Sequence, residues 1–355
     1  MESKESRRWQ AVFSDSVLNS WYGSGFWTRI LLPLSFLYTR IARHRRMKLE
    51  RSERWQSSVP VIIVGNITVG GTGKTPFVAS LVARLQHQGF SPGIASRGFG
   101  AGKGIDVPAE VFPDSDPALV GDEPVMLAQQ LNIPIMVDPD RVSAAQTLIE
   151  QKGCDLVIAD DGLQHYNLDR HIELVVIDGQ RMLGNGLILP AGPLRESPER
   201  LREADQVLIN GEPSRPLSCD CDAVSFFLEP DGLKPVIRQN EAQPPAPGKV
   251  HAVAGIGNPE RFFKTLEGLG YEVIPHPFPD HYLFGKEDFQ FRDDLPVIMT
   301  AKDAVKCSAF AESRFWFLPV QARVPEPVFE RILKLIETKG PQSRSDKDTH
   351  GQEAV

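Results

Sequence analysis

A glycine-rich run between two apolar segments carries residue types that bind phosphate. It reads V-I-I-V-G-N-I-T-V-G-G-T-G-K-T-P from Val61 to Pro76. Lys74 supplies a cation, the glycines let backbone N–H groups face a phosphate chain, and the Thr75 hydroxyl can ligate Mg²⁺. We therefore predict a loop that binds ATP or GTP, with its contacts made by Thr68, Gly70, Gly71, Thr72, Gly73, Lys74 and Thr75.

The segments on both sides of this loop support a phosphate-binding function. Val61 to Val64 is an apolar run typical of a buried strand, and the apolar period from Phe77 to Leu85 predicts a helix. The N-terminus of a helix attracts anions. The motif departs from its strict form at Thr68, where the pattern has glycine. A glycine-rich loop that only caps a helix, without a nucleotide, is the alternative.

Two adjacent aspartates, Asp160 and Asp161, follow the apolar run Leu156 to Ala159. An aspartate at the end of such a strand holds Mg²⁺ in phosphate-loop enzymes. Neighbouring carboxylates repel each other unless a cation lies between them. The pair therefore predicts a magnesium site.

Other charged residues lie in loops or at the start of a helix. Arg97 begins a glycine-dense loop that we expect to lie against a ligand, although a plain connector has the same composition. Asp122 and Glu123 precede an apolar helical segment, where carboxylates ordinarily serve as helix caps. These residues become site candidates only if another motif requires a base or a metal ligand.

Two further loops carry candidate residues. Arg195 and Glu196 end the loop L-P-A-G-P-L-R-E and could face the same cleft. His281 lies between an acid and a phenol in D-H-Y, in a loop where a histidine has no core to pack against. A surface histidine is the alternative for this position.

The bulk composition is that of an ordinary globular protein. The 355 residues are 41% hydrophobic and 24% charged, and this length favours two domains. A net charge of -7 argues against a general nucleic-acid binder. Four cysteines lack metal-site spacing, so we expect inert thiols in a reducing cytoplasm.

Strand and helix patterns alternate six times up to residue 210. This alternation predicts an α/β fold with a doubly wound, mainly parallel sheet that binds ligands at the carboxyl ends of its strands. Ala223 to Leu228 and Leu233 to Arg238 predict a β-hairpin, and a proline-rich linker precedes a second, smaller α/β domain. The predicted limits are 1–55 for an N-terminal helical segment, 56–221, 222–248 for hairpin and linker, 249–339, and 340–355 for a disordered tail.

The N-terminal segment combines apolar and basic residues. Phe26 to Tyr38 is apolar but too short to span a bilayer, which needs about twenty residues. Seven arginines and lysines lie between Arg40 and Arg54. This combination predicts a helix that lies on an anionic membrane surface. A helix that docks on the protein core is the alternative.

Seven motifs together resemble the tetraacyldisaccharide 4′-kinase family, the lipid A 4′-kinases of Gram-negative bacteria. They are G-N-I-T-V-G-G-T-G-K-T-P, S-R-G-F-G, G-D-E-P, A-D-D-G-L-Q-H, L-P-A-G-P-L-R-E, D-H-Y and T-A-K-D-A-V-K, from about residue 15 to about residue 335. Phe99 and Ala301 depart from the tyrosine and glutamate that are common in the family.

The resemblance implies that the γ-phosphate of ATP is transferred to the 4′-hydroxyl of a tetraacylated glucosamine disaccharide 1-phosphate, giving lipid IVA. This reaction would take place at the cytoplasmic face of the inner membrane, with a peripheral enzyme and no protein partner. A membrane-recruited ATPase or GTPase that acts as a switch is the alternative. A switch would give no function to Asp122 and His281.

The resemblance also implies residue functions. Asp122 would be the base, oriented by His281, and Lys74 would bind the phosphates. The implied magnesium site consists of Thr75, Asp160, Asp161, Glu123 and Gln164. The implied substrate-binding residues are Asn66, Arg97, Arg141, Arg195 and Glu196.

Overall fold

The computed structural model describes residues 17, 19–23, 26–51, 54–98, 105–217, 219–237 and 243–341. Phe99, most of the predicted tail and part of the predicted N-terminal segment lie outside these ranges. The chain forms two compact units, and each consists of separated segments. Unit 1 contains Met1–Lys74, Ile158–Phe227 and Val324–Val355, and unit 2 contains Thr75–Val157 and Leu228–Arg323. The domain limits expected from the sequence stay a prediction.

Eight α-helices lie wholly within these ranges. They are α1 Phe26–Arg51, α2 Lys74–His87, α3 Pro117–Val120, α4 Asp122–Gln130, α5 Arg141–Glu150, α6 Pro259–Gly268, α7 Ala301–Cys307 and α8 Glu326–Lys339. The strands are β1 Val61–Gly65, β2 Pro92–Ser96, β3 Ala109–Glu110, β4 Ile135–Val137, β5 Leu156–Asp160, β6 Ile172–Asp178, β7 Gln206–Asn210, β8 Ala223–Pro230, β9 Lys234–Pro235, β10 Lys249–Ala254, β11 Glu272–Pro277, β12 Val297–Thr300, β13 Phe315–Leu318 and β14 Val320–Arg323.

The sheet of unit 1 is parallel. β6 pairs with β1 on one side and with β7 on the other, and β7 pairs with β8. Every residue of β1, β6 and β7 is buried, as expected for parallel strands covered on both faces. The apolar runs of these strands explain why they could be predicted from the sequence. Helix α8 packs near β6.

Unit 2 contains strands of two sheets. In the first, β2 pairs parallel with β4, and β3 pairs antiparallel with β4. In the second, the order is β11-β10-β12-β13-β9, with β9 the antiparallel strand. An apolar cluster that includes Phe262, Leu266 and Trp316 fills one side of the second sheet. These pairings confirm the predicted α/β class with mainly parallel strands.

The predicted β-hairpin between residues 223 and 238 is wrong. β8 pairs with β7, whereas β9 pairs with β13, so the two strands belong to different sheets. Pro235 has no N–H to donate, which leaves the two-residue strand β9 with little capacity to form a hairpin ladder. Phe226 is fully buried in β8, which shows that burial on the sheet fixed the position of this strand.

Helix α1 covers the predicted membrane-surface segment. It is 26 residues long and contains Pro33. Across the described residues, no helix combines the length and the apolar character that crossing a membrane requires.

Candidate functional site

The phosphate loop, residues 68–75, joins β1 to α2 and depends on Gly73. This glycine has φ 86°, a backbone region that other residues adopt at a cost. A Cβ at this position would also lie 2.2 Å from Asn210 Nδ2. The same amide donates to Thr72 O at 3.1 Å. Asn210, at the end of β7, therefore contacts the phosphate loop, and it is not among the site residues predicted from the sequence. Its position at the end of a strand is the signal that could have indicated it.

Lys74 connects the phosphate loop to two of the predicted site residues. Its Nζ donates to Asn66 Oδ1 at 3.0 Å and to Asp161 Oδ1 at 2.8 Å. Asn66 follows β1 and Asp161 follows β5, so the carboxyl ends of two strands supply the partners of Lys74. Ligands bind at such strand ends in α/β folds. The remaining threonines of the loop, Thr68, Thr72 and Thr75, are buried.

Asp161 lies between two cations. Lys74 contacts one of its oxygens, and Arg195 Nη1 lies 3.1 Å from the other. Burial alone would raise the pKa of Asp161, but Lys74 and Arg195 hold this pKa well below its usual range. Asp161 also has φ 51°, a conformation that non-glycine residues adopt mainly at turns and functional sites. Asp161 is therefore a constrained, ionised carboxylate.

Gln164 and Glu196 extend this network towards α1. Gln164 Oε1 accepts from Arg195 at 3.4 Å, and Gln164 Nε2 donates to Glu196 Oε1 at 2.7 Å. The Tyr166 hydroxyl donates to the other oxygen of Glu196. Arg46 of α1 lies 3.9 Å from Glu196 and over the Tyr166 ring at 5.2 Å. No local pattern in the sequence indicates a contact between Arg46 and this loop.

The donor set after β5 fits a magnesium ion. Asp160 is 2% exposed and ends β5, and Mg²⁺ prefers oxygen ligands such as carboxylates, with several waters retained. Asp161 already faces Lys74 and Arg195. Asp160 would therefore be the better ligand of the adjacent pair.

A second cluster lies in unit 2, where α4 packs against α7. Asp122, the first residue of α4, is 5% exposed, and its Oδ2 lies 3.1 Å from His281 Nδ1. Lys302 of α7 donates to Glu123 Oε1 at 2.9 Å and to Asp280 Oδ1 at 3.0 Å. The structure thus brings together the predicted residues Asp122, Glu123 and His281.

Asp122 is not the cap of α4 that the sequence predicted. The N-cap is Gly121, and no side-chain hydrogen bond caps this helix. The Asp122 carboxylate instead contacts His281 and accepts from Glu123 N at 2.9 Å. The φ of 97° at Gly121 is a conformation that glycine adopts readily, so the chain turns here without a capping side chain.

Cations around Asp122 stabilise its charged form. Lys302 Nζ lies 3.9 Å and Lys306 Nζ 3.8 Å from Asp122 Oδ2. Burial alone would raise the pKa of Asp122, but the His281 hydrogen bond and the two lysines lower it. Burial alone would lower the pKa of His281, but the bond to Asp122 raises it. Burial alone would lower the pKa of Lys302, but the carboxylates of Glu123, Asp122 and Asp280 raise this pKa above its ordinary value.

Asp122, Glu123 and His281 also have the donor types of a metal site. One ligand atom from each lies within 4.8 Å of the others. The Lys302 ammonium, however, is already bonded to Glu123 and lies close to Asp122. A positive charge at this position opposes binding of a divalent cation. This arrangement favours proton transfer over metal binding in the second cluster.

Two further residues of the predicted substrate-binding set, Arg97 and Arg141, lie in unit 2. Arg97 is exposed just after β2. Arg141 is 1% exposed at the start of α5, and its Nη1 donates to Asp138 O at 2.7 Å. Substrate contact by either arginine stays a prediction.

Comparisons with known proteins agree with one another. The model of a protein family described as tetraacyldisaccharide-1-P 4′-kinase (LpxK) matches residues 27–337. A tetraacyldisaccharide 4′-kinase of Alkalilimnicola ehrlichii is 53% identical over 313 residues, which cover 86% of this chain and 91% of the relative. A tetraacyldisaccharide 4′-kinase of Pseudomonas putida is 46% identical, with coverage of 90% and 95%. A crystal structure of "apo" form LpxK from Aquifex aeolicus in complex with ATP has a TM-score of 0.71 at 25% identity, with coverage of 87% and 99%.

Proposed function

We propose the function of this chain on the basis of its family, because the chain belongs to the tetraacyldisaccharide-1-P 4′-kinases. The chain transfers the γ-phosphoryl group of ATP to the 4′-hydroxyl of a tetraacylated glucosamine disaccharide 1-phosphate, which is a lipid A precursor, and lipid IVA is the product. The observation that carries this function beyond nucleotide binding is the contact between Asp122 and His281 at 3.1 Å. A nucleotide switch has no use for a general base at this position.

The phosphate loop and Lys74 bind the β- and γ-phosphates. Phosphoryl transfer depends mainly on positioning and charge neutralisation. Lys74 is held in place by Asn66 and Asp161, and Arg195 lies on the other side of Asp161. Two cations near the transferred group would stabilise the negative charge that develops on its oxygens.

Asp122 accepts the proton of the attacking hydroxyl. The lowered pKa of Asp122 keeps this carboxylate unprotonated at neutral pH. His281 holds it in one orientation through Nδ1. A base must lie within hydrogen-bond reach of the proton that it abstracts, so the acceptor sugar binds with its 4′-hydroxyl against Asp122.

Asp160, at the carboxyl end of β5, would hold a magnesium ion, and Thr75 and Gln164 stay predicted ligands. Glu123 is the weakest member of the predicted set, because it is already bonded to Lys302. A bound Mg²⁺ would neutralise phosphate charge during transfer. The buried position of Asp160 and the two cations already at Asp161 support this assignment.

Helix α1 docks the chain on an anionic membrane, which we take to be the cytoplasmic leaflet of the inner membrane. Phe36 is 72% and Ile41 59% exposed on this helix, and Arg43, Arg45 and Lys48 are exposed beside them. Large exposed apolar groups mark interaction surfaces. Each basic residue near an anionic surface contributes about 1 kcal/mol.

A transfer assay tests the function directly. The full chain is incubated with γ-labelled ATP, Mg²⁺ and the detergent-dispersed disaccharide lipid, and label in the lipid is compared with label in free phosphate. We expect label in the lipid at the 4′-position. ATP hydrolysis without transfer would contradict the proposal and support a nucleotide switch.

A further inference from the structure

Lys302 is a buried lysine that joins two distant segments of unit 2. Its side chain is 11% exposed, and its Nζ donates to Glu123 on α4 and to Asp280 in the loop after β11. A buried ammonium has lost its hydration, so it needs carboxylate partners that stabilise its charge. Here the partners are Glu123, next to the proposed base, and Asp280, next to His281.

The contact between Lys302 and His281 has a chemical consequence. Lys302 Nζ lies 3.3 Å from His281 Nε2. An ammonium has only donors, so the imidazole nitrogen that faces it presents a lone pair. A neutral imidazole carries its hydrogen on the other nitrogen. That nitrogen, Nδ1, is the one that lies 3.1 Å from Asp122 Oδ2.

We propose that Lys302 is a positioning residue that selects the Nδ1–H tautomer of neutral His281 and thereby directs the His281 hydrogen at Asp122. This inference rests on the proposed function, in which Asp122 is the base. In the other tautomer, the Nε2 hydrogen would point at the ammonium, and the Nδ1 lone pair would face the Asp122 carboxylate. Both contacts would then be repulsive, and Asp122 would lose the donor that orients it.

The neighbouring lysine of α7 has a different function. Lys306 Nζ lies 2.9 Å from Asp303 Oδ1, and the Asp303 side chain is fully buried. Asp303 in turn accepts from Gly255 N at 2.9 Å and from Thr300 Oγ1 at 2.7 Å. Lys306 therefore balances a buried structural carboxylate, whereas Glu123 and Asp280, the two carboxylates that accept from Lys302, are about one-third exposed. Replacement of Lys302 leaves these partners accessible to water, so we expect the variant to fold.

Kinetics of Lys302→Met and Lys302→Arg test the inference. Methionine has a similar shape without the charge, whereas arginine keeps a cation that can only donate. We expect Lys302→Met to lower kcat about tenfold or more, as for other residues that orient a functional group, with KM for ATP changed less than about twofold. Lys302→Arg should recover a substantial part of the lost kcat. Lys264→Met, at an exposed position of α6, is the matched control and should behave as the wild type.

A double variant separates positioning from a structural effect. If Lys302 acts through His281, adding Lys302→Met to His281→Ala should lower kcat little further, because residues that act as a unit are non-additive. Fully additive losses would overturn the proposal, and so would wild-type kcat in Lys302→Met.

The tautomer can be observed in the wild type without any variant of Lys302. ¹⁵N NMR of histidine-labelled protein distinguishes protonated from unprotonated ring nitrogens, and loss of one signal set in His281→Gln assigns His281. At a pH where the ring is neutral, we expect hydrogen on Nδ1. Hydrogen on Nε2 would overturn the proposal. If the wild type fails to transfer phosphate, the proposed function fails instead, and the NMR result still decides the tautomer.

Discussion

His281 Nδ1 lies 3.1 Å from Asp122 Oδ2, although the two residues are 159 positions apart in the chain. His281 has φ 59°, a left-handed conformation that costs about 1 kcal/mol or more for a non-glycine residue. The fold therefore maintains this contact against local backbone preference. Such strain clusters at functional sites, where the surrounding structure determines the conformation.

Loss of either partner should slow the reaction without preventing ATP binding. We expect Asp122→Ala and His281→Ala each to lower kcat about a hundredfold or more, because general base catalysis contributes about this much. The double variant should be little worse than the worse single variant. Steady-state kinetics with the lipid acceptor measure the effect, and fully additive losses would contradict a dyad.

Asp116→Ala is the matched control for Asp122→Ala. Asp116 caps α3, and its side chain accepts from Ala118 N. Loss of a cap costs about 1 kcal/mol of stability and should leave kcat unchanged. Thermal melting beside kinetics distinguishes the two variants. A melting shift with near-normal kcat in Asp122→Ala would indicate a structural function for Asp122.

Lys74→Ala and Asp160→Ala should abolish most activity in a folded protein. The first removes the cation that contacts Asn66 and Asp161, and the second removes the carboxylate that ends β5. Losses on the order of a thousandfold are expected for groups that stabilise transition-state charge. Lys152→Ala, which removes a cation paired with Glu110, is the control. More than about a tenth of wild-type turnover in either variant would show that the site is misassigned.

Exposed basic residues of α1 should govern membrane binding. Replacing Arg43, Arg45 and Lys48 with glutamine should weaken binding to anionic vesicles at low salt, because each cation contributes about 1 kcal/mol. The apparent KM for lipid in vesicles should rise, and kcat on detergent-dispersed lipid should hardly change. Vesicle sedimentation measures binding, and unchanged binding would indicate that α1 docks on protein instead.

In contrast to the three exposed basic residues, Arg46 should influence kcat more than vesicle binding. It contacts Glu196, Glu203 and the Tyr166 ring, so we expect Arg46→Gln to disturb the loop that holds Gln164. A half-exposed ion pair contributes about 1 kcal/mol or less, which corresponds to a loss in kcat of about fivefold at most. Vesicle binding should fall less than in the triple variant. Equal loss of binding with normal kcat would assign Arg46 to the membrane surface.

Stability should fall as the pH falls below about 6.5, in part because of His276. Burial, with a contribution from His251, lowers the pKa of His276 from its ordinary value of 6.5. The unfolded chain therefore binds more protons than the folded chain between the lowered pKa and 6.5, so stability is present above this range and is lost as the pH falls through it. His251 Nδ1 faces His276 Nε2 at 2.9 Å, and Asp293 faces His251. Melting temperatures of the wild type and His276→Gln at several pH values should converge at low pH. Parallel curves would contradict this assignment.

Local patterns in the sequence determined the strand, phosphate loop and helix around Lys74 and the aspartates that end β5. Apolar periodicity and glycine spacing are properties of neighbouring residues, so they predict such elements directly. The motifs also named Asp122 and His281 through a family resemblance. The pattern around residues 223–238, by contrast, could not indicate which strand would pair with which, because pairing depends on distant segments.

Only the tertiary structure decided which charged side chains meet. Lys302 and Glu123 are 179 positions apart, and Arg46 and Glu203 are 157 apart. Nothing in the local sequence of either member predicts these contacts. They form because α4 packs on α7 and because α1 lies against the loop after β5. Burial of apolar side chains fixes the positions of α4 and α7, and the charged groups at their ends then pair with whichever partners that packing brings within reach.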